Sequence, residues 1–157
     1  AQKGTTTAGN ASQVSDGASA TLIMSRAKAE ILGLTALGVL KSFTVVGVDP
    51  KIMGIGPAKA IPAACEKAGI QVSDVDLFEI NEAFAAQAIA VNKGLDLDPG
   101  IVNPNGGAIA LGHPVGATGA IITLKALYQL DNINGKRALI TMCIGGGQGI
   151  ALAIERI

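Results

Sequence analysis

The stretch NPNGGAIALGHPVGATGA, residues 103–120, organises the chain and contains its only histidine, His113. Its glycines allow backbone N–H groups to approach a ligand closely, and the stretch runs into an apolar segment that predicts a helix over residues 117–130. His113 stands between Gly112 and Pro114 at the entrance of that helix. A lone histidine in this position is either structural or catalytic, and the stretch alone leaves both readings open.

Strand-like and helix-like segments alternate on both sides of this stretch. The strands are predicted over residues 20–24, 38–48, 75–80, 137–143 and 149–157. Further helices are predicted over residues 26–32, 57–67 and 83–92, the first with Ser25 as N-cap and a stop at Gly33. Loops are predicted over residues 5–18 and 51–57. This alternation predicts an α/β layered fold whose sheet is covered by helices on both faces.

Composition and charge exclude several classes of function. The chain has 157 residues, 49% of them apolar, which is enough for a well-buried core. Twelve basic residues balance twelve acidic ones without a Lys/Arg run, so neither nucleic acid nor an anionic membrane is an expected partner. No apolar run approaches the roughly 20 residues of a membrane span, and the start AQKGTTTAGN resembles no signal peptide or presequence.

Two separated cysteines and one histidine argue against both a disulfide framework and a zinc site. They indicate a reducing setting, and we expect a cytoplasmic location. Cys65 lies in an alanine-rich helical segment and is interpreted as a packing residue. The sequence contains neither G-x-G-x-x-G nor G-x-x-x-x-G-K-[ST], so neither a dinucleotide fold nor a P-loop is supported.

Asn81 and Cys143 each follow or end a predicted strand, and each has two readings. Asn81 opens a helix, where asparagine is commonly an N-cap, but its amide is equally suited to a functional site. Cys143 precedes Ile144 and three glycines, whose N–H groups could lower the thiol pKa and stabilise an oxyanion; alternatively it is a buried cysteine beside a tight turn. At the level of these residues both pairs of readings stay open.

Taken together, these motifs resemble the C-terminal half of a thiolase of the acetyl-CoA acetyltransferase and 3-ketoacyl-CoA thiolase type. The resemblance covers nearly the whole chain and rests on motifs in the family's order. They are TAGNAS with DGA, VGVDP, MGIGP, NEAFAAQ, the stretch that contains GHP, and CIGGGQG. It implies a thiolase-like layered fold with a five-stranded mixed sheet covered by helices. The implied activity is Claisen condensation of acetyl-CoA or thiolysis of acetoacetyl-CoA and other 3-ketoacyl-CoA substrates, without a cofactor or metal.

The same resemblance implies roles for individual residues. His113 would activate the nucleophilic cysteine and, with a water held by Asn81, stabilise the thioester enolate. Cys143 would be the general acid and base, and the backbone N–H of Gly145 would join a second oxyanion hole. Contacts to the substrate are implied for a further set of residues: Ser12, Ala83 and Phe84 at the pantetheine arm, and Met53 in the acyl pocket.

The family's nucleophilic cysteine has no counterpart in this chain. Cys143 is accounted for by CIGGG, and Cys65 lacks the small-residue turn that a nucleophile needs. Residues 1–32 are expected to be the tail of the N-terminal thiolase half, its last strand and helix, and residues 33–157 the C-terminal half. We therefore expect a thiolase fragment that needs the N-terminal half, is inactive alone and forms a homo-oligomer. The alternative is a non-catalytic thiolase-like module that binds an acyl-CoA or a lipid.

Overall fold

The computed structural model describes residues 4–157, and within that range it contains four β-strands and five α-helices. The strands are β1 (Gly38–Gly47), β2 (Leu77–Ile80), β3 (Arg137–Ile144) and β4 (Gln148–Arg156). The α-helices are α1 (Arg26–Leu32), α2 (Gly56–Ala68), α3 (Ala85–Gly94), α4 (Ala108–Leu111) and α5 (Thr118–Asn132). Short 3-10 helices lie at Ala8–Asn10, Pro50–Ile55, Val72–Asp74 and Pro99–Ile101. The first three residues of the predicted N-terminal tail, 1–3, lie outside the described residues.

The four strands form one mixed sheet in the order β1-β4-β3-β2. β4 runs antiparallel to both β1 and β3, whereas β2 runs parallel to β3. Helix α2 lies against β4, β1 and β3, and α5 lies against β3 and β2. The predicted α/β layered fold, with helices on both faces of a mixed sheet, is confirmed.

Two apolar clusters, one on each face of the sheet, form the core. The first joins the sheet to α2 and α3, and its members include Ile61, Ala64, Phe78, Ile80, Val91 and Leu139. The second joins the sheet to α5, and its members include Leu77, Ile122, Ala126, Leu130, Ile140 and Ile154. In β2, Leu77 belongs to the second cluster and Phe78 and Ile80 to the first, as the two-residue period of a strand requires. Both faces of β2 are therefore packed against the core.

The helix predicted over residues 26–32 is confirmed with both of its ends. The Ser25 side chain accepts a hydrogen bond from the N–H of Lys28 at the N-terminus. Gly33 ends the helix in the left-handed conformation at φ 63°, which an L-residue with a side chain adopts at a cost. Both ends of this helix are thus fixed by contacts within a few residues along the chain.

The strand predicted over residues 20–24 is wrong. These residues have no regular structure, and no strand among the described residues pairs with them. Leu22 and Ile23 are 78% and 83% exposed. An apolar run becomes a strand only where a neighbouring strand supplies hydrogen bonds, and the described part of the chain offers none here.

The five-stranded sheet is the second correction, since the sheet has four strands. The place beside β2 is occupied by a single parallel bridge between Phe78 and Val102, supported by a hydrogen bond from Asn103 N to Phe78 O of 2.9 Å. The 3-10 helix Pro99–Ile101 precedes Val102. Asn103 then turns the chain at φ 47°, so the extended segment is too short to form a ladder.

Two local structures differ from the predicted loops. Most of the loop predicted over residues 51–57 is the 3-10 helix Pro50–Ile55, which leads into α2. Helix α4 was not predicted, because four residues carry too little periodicity to be recognised. α2 begins at Gly56, where a Cβ atom would lie 2.5 Å from the carbonyl oxygen of Gln148. Glycine at this point lets the first turn of α2 lie directly on the start of β4.

A broad set of apolar side chains is exposed on the N-terminal segment and on β1. On β1, Phe43 and Val45 are 53% and 55% exposed, while Ser42 and Thr44 face α2 and donate hydrogen bonds to its carbonyl oxygens. The exposed apolar residues of the segment before β1 include Leu22, Ile23, Ile31, Leu32, Leu34 and Leu37. This surface is larger than the scattered apolar residues that a monomer commonly exposes.

Candidate active site

Asn81 lies directly after β2 and is 2% exposed. Its backbone N–H donates to the carbonyl oxygen of Thr141 at 2.9 Å, which extends the pairing of β2 with β3 by one residue. Helix α3 begins only at Ala85, and its N-cap position belongs to Phe84, which makes no side-chain cap. Asn81 is therefore not an N-cap. Its amide Nδ2 instead lies 3.3 Å from Nε2 of His113.

His113 is held at the end of the loop that follows α4. Gly112 ends α4 at φ 93°, and a Cβ atom there would lie 2.3 Å from Oγ of Ser15. His113 itself forms a parallel bridge with Val14 of the N-terminal segment. The close approach of residues 14 and 15 requires glycine before the histidine, and the imidazole is left half-buried beside Asn81.

The contacts of Thr118 favour a proton on Nδ1 of His113. Oγ1 of Thr118 donates its single hydrogen to the carbonyl oxygen of Pro114 at 2.9 Å. It lies 2.8 Å from Nδ1 of His113, and while its hydrogen goes to Pro114 it accepts from an Nδ1–H group. Nε2 is then the unprotonated nitrogen and accepts from Nδ2 of Asn81. Burial lowers the pKa of His113 below its ordinary value, which favours this neutral form.

Thr118 is a member of this constellation that the sequence interpretation missed. It is 3% exposed and is the first residue of α5, five positions after His113. The available signal was weak: a hydroxyl residue at a helix start is usually interpreted as a cap. Here the hydroxyl bonds back to the carbonyl oxygen four residues earlier and orients the imidazole at the same time.

Cys143 lies near the end of β3, opposite Gly149 of β4, and is half-buried. Burial raises the pKa of its thiol, and a backbone hydrogen bond opposes that rise in part. A backbone N–H group therefore does favour the thiolate, but burial is the larger effect and the net shift of the thiol pKa is upward. Gly145 is exposed in the turn that follows, and Gly146 and Gly147 adopt φ of 85° and 90°.

The parallel pairing of β2 with β3 brings two of the predicted residues to one edge of the sheet. Ile80 is in register with Thr141, so Asn81 follows one strand and Cys143 lies one residue before the end of the other, at the same edge. His113 reaches this edge through its contact with Asn81. The structure thus brings Asn81 and His113 into contact, with Cys143 and Gly145 on the neighbouring strand end.

Three of the four residues predicted to bind substrate lie together. The N–H of Ser12 donates to the carbonyl oxygen of Ala83 at 3.0 Å, and an antiparallel bridge joins Ala11 to Phe84. Met53 is half-buried in the 3-10 helix Pro50–Ile55, a separate segment that contacts α3.

Cys65 is buried within α2 at 2% exposure, and both cysteines are free thiols. Burial raises the pKa of the Cys65 thiol, and the charge of Asp74 adds to that rise. This environment agrees with a packing residue. Among residues 4–157 no group of three or more His, Cys, Asp or Glu side chains is placed to hold a metal ion.

Comparison with known families decides what this arrangement belongs to. The model of the thiolase C-terminal domain matches residues 34–156, and the model of the thiolase N-terminal domain matches residues 1–27. The chain belongs to the thiolase family. The thiolase model for the C-terminal domain includes Asn81, His113 and Cys143 in its matched range.

Individual thiolases are similar to almost the whole chain. It is 61% identical, over 99% of its length, to the β-ketothiolase BktB of Cupriavidus necator, and 60% identical, over 97%, to the human peroxisomal 3-ketoacyl-CoA thiolase. Among solved structures, the Bacillus anthracis acetyl-CoA acetyltransferase superposes with a TM-score of 0.95 at 49% identity, covering 97% of this chain and 39% of that one. The chain spans 40% and 36% of the length of the two curated thiolases.

The thiolase structures also include a human mitochondrial 3-ketoacyl-CoA thiolase in complex with CoA, with a TM-score of 0.89 at 44% identity, covering 98% of this chain and 39% of that one. Within the described part of this thiolase chain, no helix is both long enough and apolar enough to cross a bilayer.

Proposed function

We propose that this chain supplies the enolate-stabilising and acid–base groups of a thiolase. It would act in Claisen condensation of acetyl-CoA, or in thiolysis of acetoacetyl-CoA and other 3-ketoacyl-CoA substrates. The observation that carries the proposal is the 3.3 Å contact between Asn81 Nδ2 and His113 Nε2 at the strand edge beside Cys143. A neutral amide and a neutral imidazole can stabilise an enolate oxygen without trapping it in an ion pair.

His113 acts first, as a base. Its Nδ1–H is held by Thr118, so Nε2 is unprotonated, and its lone pair, which accepts from Asn81 in the resting site, takes the proton of the nucleophilic thiol. Protonated Nε2 is then a donor and can no longer accept from Asn81. Two N–H donors, from His113 and from Asn81 directly or through one water, converge on the thioester oxygen where the enolate charge develops.

Cys143 handles the remaining protons. In thiolysis the nucleophilic thiolate attacks carbon 3 of the 3-ketoacyl-CoA, and the backbone N–H of Gly145 stabilises the resulting oxyanion. Cleavage of the bond between carbons 2 and 3 leaves its electron pair in the acetyl-CoA enolate, and the thiol of Cys143 gives its proton to that carbon. Coenzyme A then gives its thiol proton to the Cys143 thiolate and attacks the acyl-cysteine. The nucleophile leaves as a thiolate and recovers its proton from His113.

The raised pKa of Cys143 agrees with this order of events. A thiol that is protonated at neutral pH is ready to donate to the enolate, and it becomes a thiolate only after that donation. Condensation runs the same steps in reverse, with the Cys143 thiolate removing a proton from the acetyl-CoA methyl group.

The nucleophilic cysteine comes from a thiolase N-terminal half in this proposal. Residues 1–32 act as the tail of that half and residues 33–157 as the C-terminal half, a division supported by the two family-model matches. The exposed apolar side chains of the segment before β1 and of β1 itself supply a surface for the N-terminal half. The completed enzyme forms a homo-oligomer.

For the substrate, we propose that Ser12, Ala83 and Phe84 contact the pantetheine arm and that Met53 lines the acyl pocket. No cofactor is required beyond the CoA thioester, which is a substrate. Two free thiols favour a reducing compartment, and we propose the cytoplasm.

The test mixes the purified chain with the N-terminal half of a related thiolase and follows acetoacetyl-CoA cleavage. We expect activity only in the mixture, its loss with His113→Ala or Cys143→Ser, and its retention with the control Cys65→Ser. Retained activity in the His113→Ala mixture would contradict the proposal. Tight acyl-CoA binding by the chain alone, with no activity in the mixture, would favour the binding module.

A further inference from the structure

Glu82, the residue after Asn81, makes contacts that the proposed chemistry does not use. Its Oε1 lies 3.3 Å from Nδ2 of Asn103, and its Oε2 accepts from the backbone N–H of Ile109 at 3.2 Å. Ile109 belongs to the first turn of α4, the helix whose end leads to His113. One carboxylate therefore joins the strand end that holds Asn81 to the loop that holds His113.

The loop is shaped around this carboxylate at Gly107. A Cβ atom at residue 107 would lie 2.2 to 2.6 Å from the Glu82 carboxylate carbon and oxygens. Gly107 has an ordinary negative φ of −103°, so its lack of a side chain is explained by the approach of Glu82 and not by backbone strain.

Asn103 closes the connection on the other side. Its Oδ1 accepts from the N–H of Ile80 and its Nδ2 donates to the carbonyl oxygen of Ile80, both at 2.8 Å. The same Nδ2 group reaches Glu82. The Asn103 amide thus pairs with the backbone of Ile80 as a neighbouring strand would, and it holds the loop against β2 immediately before Asn81.

We propose that Glu82 is a positioning residue that fixes the distance between the Asn81 amide and His113 Nε2 by bridging β2 to the loop 103–112. This proposal rests on the proposed function, in which that pair stabilises the enolate. Glu82 itself touches neither His113 nor the reacting atoms. It acts by holding the two elements that carry the pair.

The test uses the fact that His113 is the only histidine, so one imidazole dominates the ring-nitrogen NMR spectrum of the chain. Glu82→Gln keeps the shape of the side chain but has only one acceptor oxygen. Its NH2 group therefore opposes either Asn103 Nδ2 or the N–H of Ile109. The loop should move away from β2 and admit water to the imidazole, so the pKa of His113 should rise towards the ordinary value of 6.5.

The sign of the shift separates positioning from charge. Loss of the Glu82 charge alone would lower the pKa of His113, because an anion favours the imidazolium. The other charged groups near Glu82 are Glu79, whose pKa is raised by burial and to a lesser extent by Glu82, and Lys125, which pairs with Glu79. Both are unchanged in the variant. A rise can therefore be assigned to the geometry of the loop.

Two further variants keep the test decisive. Gly107→Ala displaces the carboxylate while retaining its charge and should also raise the pKa of His113. In Glu82→Ala/Gly107→Ala the added methyl group fills the vacated space, so this variant can be titrated if Glu82→Gln does not fold. The control Glu66→Gln makes the same chemical change at an exposed site on α2 and should leave His113 unchanged.

A rise in every folded variant, with the Asn81–His113 contact weakened, supports the positioning role. An unchanged or lowered pKa of His113 in any folded Glu82 variant overturns it. These titrations need no turnover, so they can fail while the mixing experiment succeeds, and the reverse is equally visible.

Discussion

Replacement of Thr118 by valine tests whether the protonated nitrogen of His113 is Nδ1. Valine keeps the shape of threonine and removes only the hydroxyl that lies 2.8 Å from Nδ1. The carbonyl oxygen of Pro114 loses one donor but still accepts from the N–H groups of Ala117 at 2.8 Å and of residue 118 at 2.9 Å. The main energetic effect of the substitution is therefore the loss of the hydrogen bond to Nδ1 of His113.

The expected loss of stability follows from the donor that is left without a partner. A buried N–H without an acceptor costs about 1–3 kcal/mol. Because His113 is half-buried and water can reach part of the ring, we expect the lower part of this range, about 1–2 kcal/mol. For a domain of this size that corresponds to a fall in Tm of roughly 2–8 °C.

The control is Thr123→Val on the same helix. Oγ1 of Thr123 donates to the carbonyl oxygen of Gly119 at 2.7 Å, the same four-residue back-bond that Thr118 makes to Pro114. It has no hydrogen bond to His113, so its loss should change stability by less than about 0.5 kcal/mol and leave the ring spectrum unaltered.

The assay is the ring-nitrogen NMR spectrum of the single histidine, combined with thermal unfolding. In the unmodified chain Nδ1 should carry the proton and Nε2 should not. Thr118→Val should shift the proton towards Nε2, because Nδ1–H has lost its acceptor. An unmodified chain with the proton on Nε2 would refute the hydrogen-bond argument, and so would a Thr118→Val variant with an unchanged tautomer.

Three further predictions concern the titratable groups. Because burial lowers the pKa of His113, its contribution to stability is complete above about pH 6.5 and declines as the pH falls further. In urea titrations, the difference in unfolding free energy between the unmodified chain and His113→Gln should therefore shrink from about pH 7.5 to about pH 5.5. A constant difference would contradict the lowered pKa. Lys125→Met leaves the Glu79 carboxylate, 1% exposed, without its ion-pair partner at 3.0 Å and should cost about 3–5 kcal/mol near neutral pH. This loss of unfolding free energy should decrease as the pH falls, because burial raises the pKa of Glu79 and the protonated carboxyl group is neutral. The double variant Glu79→Gln/Lys125→Met should recover much of the lost stability. A double variant as unstable as the single one would refute the pairing. Iodoacetamide should modify half-buried Cys143 faster than buried Cys65. The rate should increase with pH, because the thiolate is the reacting species and burial raises the pKa of the Cys143 thiol. Equal rates by mass spectrometry would contradict the difference in access.

Locally determined features were predictable from the sequence. Helix α1 was predicted with its bounds because Ser25 and Gly33 determine its two ends by contacts within a few residues. The strand predicted over residues 20–24 failed for the opposite reason. Its apolar composition was correct for a strand, but a strand also depends on a neighbour, and composition carries no information about the neighbour.

The pKa of Cys143 illustrates a competition that the sequence could not resolve. The glycines after it are visible in the sequence, and their N–H groups favour a thiolate. The partial burial of the thiol near the end of β3 is visible only in the fold, and it favours the protonated thiol. The second effect is larger here, so the net shift of the thiol pKa is upward, and the proposed role as proton donor to the enolate does not depend on a resting thiolate.

Asn81 shows how a distant segment selects between two uses of one side chain. Phe84 is held extended by its bridge to Ala11, and the N–H of Ser12 bonds to the carbonyl oxygen of Ala83, so α3 begins at Ala85 and not at the predicted residue 83. An asparagine four residues before a helix cannot cap it, and the amide is free for His113, which is 32 positions further along the chain. The N-terminal segment that pairs with residues 83 and 84 also contacts His113 through Val14. One N-terminal segment therefore contacts both elements that carry the pair. The meeting of Asn81 and His113 follows from their motifs, whereas this supporting contact depends on residues far away in the chain.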